Sequence, residues 1–223
     1  MNKEELLQRI ARYLMLHASF YDNIGLLNGK TGIAIFFYHY AKHSGKSFYA
    51  DFARELIAEI YKEIQVNTPL NFADGLCGIA WGLGYLIKNG FVKANPDEVL
   101  EDLDKRIMEW DVRRISDISL ETGLQGIACY ATSRMENREK EHTIIRTDYI
   151  SDLIEALKRK EETINPELLK AINQLVQSYN PVFEIVDRIK YNQKMNFNTN
   201  QALGIAKSGY TGIGLKLIEI NKQ

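Results

Sequence analysis

The 223-residue sequence predicts an all-α protein built from repeated helical hairpins. Apolar residues recur at helical spacing over long runs, interrupted by only four prolines and with little period-2 alternation. Amphipathic stretches alternate with stretches that are apolar nearly all round, which a helix tolerates only when buried. One short glycine signature introduces each of the buried stretches.

Taken in order, residues 1–16 read as an amphipathic helix with the stripe Leu6, Leu7, Ile10 and Leu14. Residues 32–41 are the first all-round apolar segment, with Lys42 and Gly45 marking its end. Phe52, Leu56, Ile60 and Ile64 form the next stripe, with Asp51, Arg54, Glu55, Glu59 and Lys62 off it. Residues 78–87 are the second apolar segment. Asn95 and Pro96 form an N-cap and N1 pair ahead of the stripe Val99, Leu103, Ile107 and Trp110. Trp81 and Trp110 read as packing residues. Residues 126–131 are the third apolar segment, and the charged run 136–147 reads as a solvated loop. Helices are expected at 148–160, 166–179 and 181–190. The Asn- and Gln-rich stretch 192–201 is expected to be an extended or mobile loop, and 212–220 is the last apolar segment.

The signature reads Asn28-Gly29-Lys30-Thr31-Gly32-Ile33-Ala34, Asp74-Gly75-Leu76-Cys77-Gly78-Ile79-Ala80, Thr122-Gly123-Leu124-Gln125-Gly126-Ile127-Ala128 and Ser208-Gly209-Tyr210-Thr211-Gly212-Ile213-Gly214. Its first glycines stand 46, 48 and 86 residues apart. One hairpin per roughly 45 residues is a helical-repeat period, and the last interval spans two of them. The first glycine is expected to take φ > 0 and turn the chain. The second is expected to let the inner helix approach a neighbour. Asn28, Asp74, Thr122 and Ser208 are expected to cap the inner helices. If the repeats close into a ring, the inner-helix N-termini converge at one electropositive end suited to an anionic or carbonyl ligand.

Composition narrows the classes. The chain is 45% hydrophobic and 26% charged with net charge −1, which argues against a protein built around nucleic acid or an anionic membrane. Two cysteines exclude a disulfide-dense secreted scaffold and cannot alone make a tetrahedral zinc site. Lys3, Glu4, Glu5, Arg9 and Arg12 interrupt the N-terminal apolar residues, so these do not form a signal peptide. No run approaches the roughly 20 apolar residues that span a bilayer. The expectation is one cytoplasmic domain over residues 1–223.

Four Gly-x-x-Gly-Ile copies ahead of buried helices resemble the lanthionine synthetase C-like (LanC-like) family. The resemblance runs from Gly29 to about Ala131 and again from Gly209 onward. It implies an α/α toroid, an inner ring of helices inside an outer ring with glycine loops at one pole. Full-length members have seven such repeats, so this chain is expected to be an incomplete or shortened toroid with a divergent segment over 136–201. In the family, an Ala-His-Gly loop supplies a catalytic histidine, and Trp-Cys-x-Gly and Cys-His-Gly loops supply three zinc ligands. None of these motifs occurs here, so no zinc ligand or catalytic residue carries over. A family cyclase needs that zinc to make a cysteine thiolate. The resemblance therefore implies a protein of a peptide-modification system that binds a precursor peptide or partner enzyme, with no cofactor, no metal and no zinc-dependent cyclase activity. A cyclase-like or hydrolytic enzyme using Asp74, Glu121 or Cys77 is the alternative. A structural module that pairs with a second copy is another.

The polar residues around the glycine loops are the candidate ligand-binding set: Asn28, Lys30, Thr31, Asp74, Cys77, Glu121, Thr122, Gln125, Ser208 and Tyr210. Lys30 would pair with a carboxylate, and a desolvated Asp74 or Glu121 would serve as acid or base. The plainer reading of the set is solvated loop caps. Cys77 and Cys129 read as small buried thiols, against a metal or thiol site joining Cys77 to a histidine. His39 and His43 have the i, i+4 spacing of a metalloprotease helix, but Tyr40 stands where the base would be. They read as solvated or capping histidines. Gly29-Lys30-Thr31 lacks the upstream glycine of a phosphate-binding loop, since Ile24 stands at that position.

Overall fold

The computed structural model describes residues 2–135, 144–159, 180–192, 197 and 201–218. Among these, all regular secondary structure is helical. The helices are α1 (Lys3–His17), α2 (Lys30–Ser44), α3 (Phe48–Glu63), α4 (Leu76–Lys88), α5 (Pro96–Met108), α6 (Leu124–Met135), α7 (Thr147–Lys158), α8 (Pro181–Arg188) and α9 (Tyr210–Ile218). The helix expected at 166–179 and most of the 192–201 loop lie outside the described residues. None of these helices is long and apolar enough to cross a membrane.

The alternation of one-faced and all-round apolar helices is present as expected. α1, α3 and α5 bury a single stripe each, whereas residues 30–40 of α2 are buried without a break. Asn2 starts α1 by accepting a hydrogen bond from the Glu5 amide at 2.7 Å. Asn95 caps α5, accepting from the Asp97 amide, with Pro96 at N1. Gly45 ends α2 in the left-handed region at φ 68°, the conformation that favours glycine there.

The chain divides into two compact units. The first comprises Met1–Asn67 and Pro181–Gln223, the second Thr68–Asn180. In the first unit α2 and α3 form an antiparallel hairpin. Its core is aromatic, with Phe37 edge-on to Phe52 at 4.9 Å and Tyr40 4.6 Å from Tyr49. α9 packs beside α2, where a side chain at Gly214 would run into the Phe36 ring. α1 is held at both ends: Glu4 meets His43 at 3.1 Å, and the Tyr13 ring lies 4.7 Å from that of Tyr210. In the second unit α4 packs on α5 and α6, and α6 on α7.

Three expectations need correction. The first glycine of the signature is not left-handed: Gly29 and Gly75 have φ of −135° and −118°. Glycine is needed there because a carbonyl passes where a Cβ would stand, that of Asn23 at Gly29, Pro69 at Gly75 and Asp117 at Gly123. Trp110 is not in the core but 52% exposed. α5 ends at Met108, so the helical period no longer holds two residues later. His39 is buried on α2 rather than solvated, because this helix is covered on every side.

Candidate functional site

Each glycine loop is a folded-back turn closed by the backbone. The amide that follows the first glycine donates to a carbonyl seven or eight residues upstream. These bonds are Lys30 to Asn23 (2.8 Å), Leu76 to Pro69 (2.8 Å), Leu124 to Asp117 (2.9 Å) and Tyr210 to Ala202 (2.9 Å). Main-chain carbonyls thus satisfy helix-start amides that are otherwise orphaned. Gly29 and Gly75 stand at the N-cap position, without a side-chain cap. The expected capping by the residue before the glycine is corrected accordingly at α2 and α4.

The side chains that shape the loops lie further upstream. Asn23 Oδ1 accepts from the Gly25 amide at 2.8 Å, and Asn71 Oδ1 from the Asp74 amide at 2.8 Å. Asp117 accepts from the hydroxyls of Ser119 and Thr122. Sequence reading missed these three residues. The available signal was an Asn or Asp four to six positions before each of the first three signature glycines.

Neighbouring loops are zipped by main-chain bonds within each unit. In the first, the Leu27 carbonyl accepts from the amides of Ile205 (2.6 Å) and Ala206 (2.9 Å). In the second, the Glu121 carbonyl accepts from Phe72 (3.1 Å) and Ala73 (2.9 Å). The acceptor in both cases stands two residues before a signature glycine. The second glycine of the signature permits this closeness, since a Cβ at Gly126 would meet the Phe72 side chain and one at Gly32 would meet Ile205.

This frame sorts the candidate residues. Those before the first glycine are displayed: Asn28, Asp74 and Ser208 are half-buried and Thr122 is exposed. Those after it turn inward, Lys30, Leu76, Leu124 and Tyr210 all being buried. Lys30 is committed to α3, with its ammonium 2.6 Å from Glu63 and 3.1 Å from Glu59. Burial opposes its charge, yet the two carboxylates outweigh it and hold its pKa above the usual lysine value. Thr31 donates its hydroxyl to the Ile24 carbonyl at 2.6 Å. Gln125 spends its amide on the Ile118 carbonyl at 2.8 Å. Tyr210 is stacked on Phe197 at 4.9 Å. Glu121 is exposed, so the desolvation that would make it an acid or base is absent. Ser208 sits at φ 52° beside Lys207 at φ 54°, and the Ser208 carbonyl accepts from Gln201. The first unit therefore brings Asn28 and Ser208 to its joined loops, and the second brings Asp74 and Thr122 to its own.

Residues 21–223 match the family model of the lanthionine synthetase C-like proteins. The chain belongs to that family. No curated protein and no solved structure matches it. At the displayed position before each first glycine this chain carries Asn28, Asp74, Thr122 and Ser208, with no histidine or cysteine among the four. Among the described residues no three His, Cys, Asp or Glu side chains are grouped to hold a metal ion. Cys77 and Cys129 are both buried. Cys77 interacts electrostatically with Tyr130 and Tyr149, and its burial pushes the thiol pKa upward, away from the thiolate a metal requires. The donors of the described residues do not fit the family's zinc.

The second unit also holds a buried polar cluster that the candidate set omitted. Arg134 on α6 contacts Asp104 at 2.7 Å and Asp97 at 3.2 Å, both on α5, and the Tyr130 hydroxyl donates to Asp104. Its signal was weak: Asp104 adjoins the stripe position Leu103 and reads as one more charge of an outer helix.

Proposed function

We propose that this LanC-like chain acts by recognition in a peptide-modification system, holding a precursor peptide or a partner modification enzyme at its glycine loops rather than forming thioethers with zinc. One observation carries the reading. Within each unit the loops are a main-chain-bonded frame that displays the position before the first glycine, and that position is a hydrogen-bonding residue without thiol or imidazole. Asn28, Asp74 and Ser208 carry amide, carboxylate and hydroxyl groups there, which suit the polar backbone of a bound peptide, while the Thr122 hydroxyl is bonded to Asp117. A preformed frame also lowers the ordering cost of binding.

The test is a calorimetric titration of the full chain with dehydrated precursor peptide, repeated with a chelator and with added zinc. Binding is expected in all three conditions, weaker in Asn28→Ala and Asp74→Ala, with no thioether product by mass spectrometry. Absence of binding, or thioether formation that appears only with zinc, would overturn the proposal.

A further inference from the structure

In the first unit the outer helices end where the inner helices begin. Lys30 at the start of α2 meets Glu63 at the end of α3, and Tyr13 late in α1 meets Tyr210 at the start of α9. Ile189, just past α8, packs against Gly212 in the first turn of α9. The C-terminal ends of α1, α3 and α8 therefore share the glycine-loop end of this unit. Each is followed three residues later by an exposed large apolar side chain: Phe20 after α1 (87% exposed), Val66 after α3 (99%) and Tyr191 after α8 (37%). Leu16, one turn before Phe20, is 69% exposed. Trp110 holds the corresponding place after α5 in the second unit, two residues past the helix end.

A single exposed apolar residue is ordinary, but one at the same position after each of α1, α3 and α8 is a pattern. These residues do not contribute to the core, so folding does not explain them. The charges beside them lean one way. Lys62, Lys190 and Lys207 are exposed at this end, against Asp22 and an Asp187 already paired with Lys216, while Glu59 and Glu63 are engaged by Lys30. We infer that this rim of the first unit docks an acidic segment of a partner polypeptide, its apolar side chains on Phe20, Val66 and Tyr191 and its carboxylates facing the lysines. An anionic membrane fits less well. Asp22 stands two residues from Phe20, and only a few basic residues border the apolar side chains. The inference rests on the peptide-or-partner reading above and adds the chemistry and place of the contact.

The experiment uses the full chain and a fluorescein-labelled peptide of alternating Glu with Leu or Phe, read by anisotropy. A Lys-for-Glu version of that peptide and phosphatidylserine vesicles are the comparisons. The acidic peptide is expected to bind and to weaken as salt rises. Its affinity is expected to fall tenfold or more in Phe20→Ser/Val66→Ser and in Lys190→Glu/Lys207→Glu, and to stay unchanged in Lys105→Glu, a charge reversal at an exposed position of α5. All these side chains are at the surface, and matching thermal melts establish that the variants fold. No binding, equal binding of the Lys peptide, equal binding by the Phe20→Ser/Val66→Ser variant, or vesicle adsorption in place of peptide binding would overturn the inference. Precursor-peptide binding that needs Asn28 and ignores the rim overturns only the rim. Rim binding of the acidic peptide with no precursor-peptide binding overturns only the loop reading.

Discussion

Arg134 on α6 and Asp104 on α5 face each other at 2.7 Å, with the arginine 5% exposed and the aspartate 1%. The guanidinium also reaches Asp97, and the Tyr130 hydroxyl donates to Asp104, so Asp104 has two partners on α6. Two charges this deep are costly to desolvate and compensate one another only through good geometry.

Breaking that cluster is expected to cost more than replacing it. Asp104→Ala leaves a buried guanidinium half-compensated, with a loss of about 3 kcal/mol in urea unfolding. Tyr130→Phe removes one of the donors to Asp104 and is expected to cost about 1 kcal/mol. Equal losses for the two variants would show that the ion pair is not what holds α6 to α5.

Lys30 invites the opposite experiment. The corresponding residues of the second and third repeats are Leu76 and Leu124, both buried, so Lys30→Met is expected to stay within about 1 kcal/mol of the parent. Glu59→Ala/Glu63→Ala strands the ammonium and is expected to cost about 2 kcal/mol, discounted because both carboxylates are partly exposed. The folded pKa of Lys30 is raised. Its contribution is thus complete below the unfolded lysine value of about 10.4 and is lost as pH rises through the higher folded value. The stability difference between parent and Lys30→Met, followed by urea midpoints through the alkaline range, should move in favour of Met. A difference that is flat above pH 10 would refute this.

The glycines separate two kinds of cost. Gly29→Ala and Gly123→Ala drive a Cβ into a carbonyl oxygen and are expected to lose 2 kcal/mol or more, by about the size reserved for backbone collisions. Gly45→Ala meets nothing and pays only for its φ of 68°, about 1 kcal/mol. Thermal melts that rank Gly45→Ala as the worst of the three would contradict the reading of the loops.

Both cysteines should resist alkylation in the native state, since each is buried and Cys77 is held as the neutral thiol. Intact-mass analysis is expected to show no adduct with iodoacetamide at pH 8 and two adducts in denaturant. Rapid single labelling of Cys77 in the native protein would revive an enzymatic role for it.

Much of the fold is legible from periodicity alone. The stripe Leu6, Leu7, Ile10 and Leu14 became α1, and the Asn95-Pro96 pair opens α5. The glycine signature marked the start of α2, α4, α6 and α9. The site was less legible. Lys30 and Asn28 look alike as polar loop residues, yet they stand on opposite sides of Gly29. Trp110 looked like the last member of a stripe because a period does not announce where its helix stops.

The sequence by itself determined the helical class, the repeat and the absence of the family's ligand motifs, because these depend on residue type and local spacing. Only the tertiary structure decided that the first glycine answers to a passing carbonyl and not to a left-handed turn. It also decided that Lys30 is spent on α3, that Asp104 is buried against Arg134, and that Phe20, Val66 and Tyr191 recur on one rim. Each of these depends on which distant backbone or side chain occupies the adjacent space, and no local pattern encodes that.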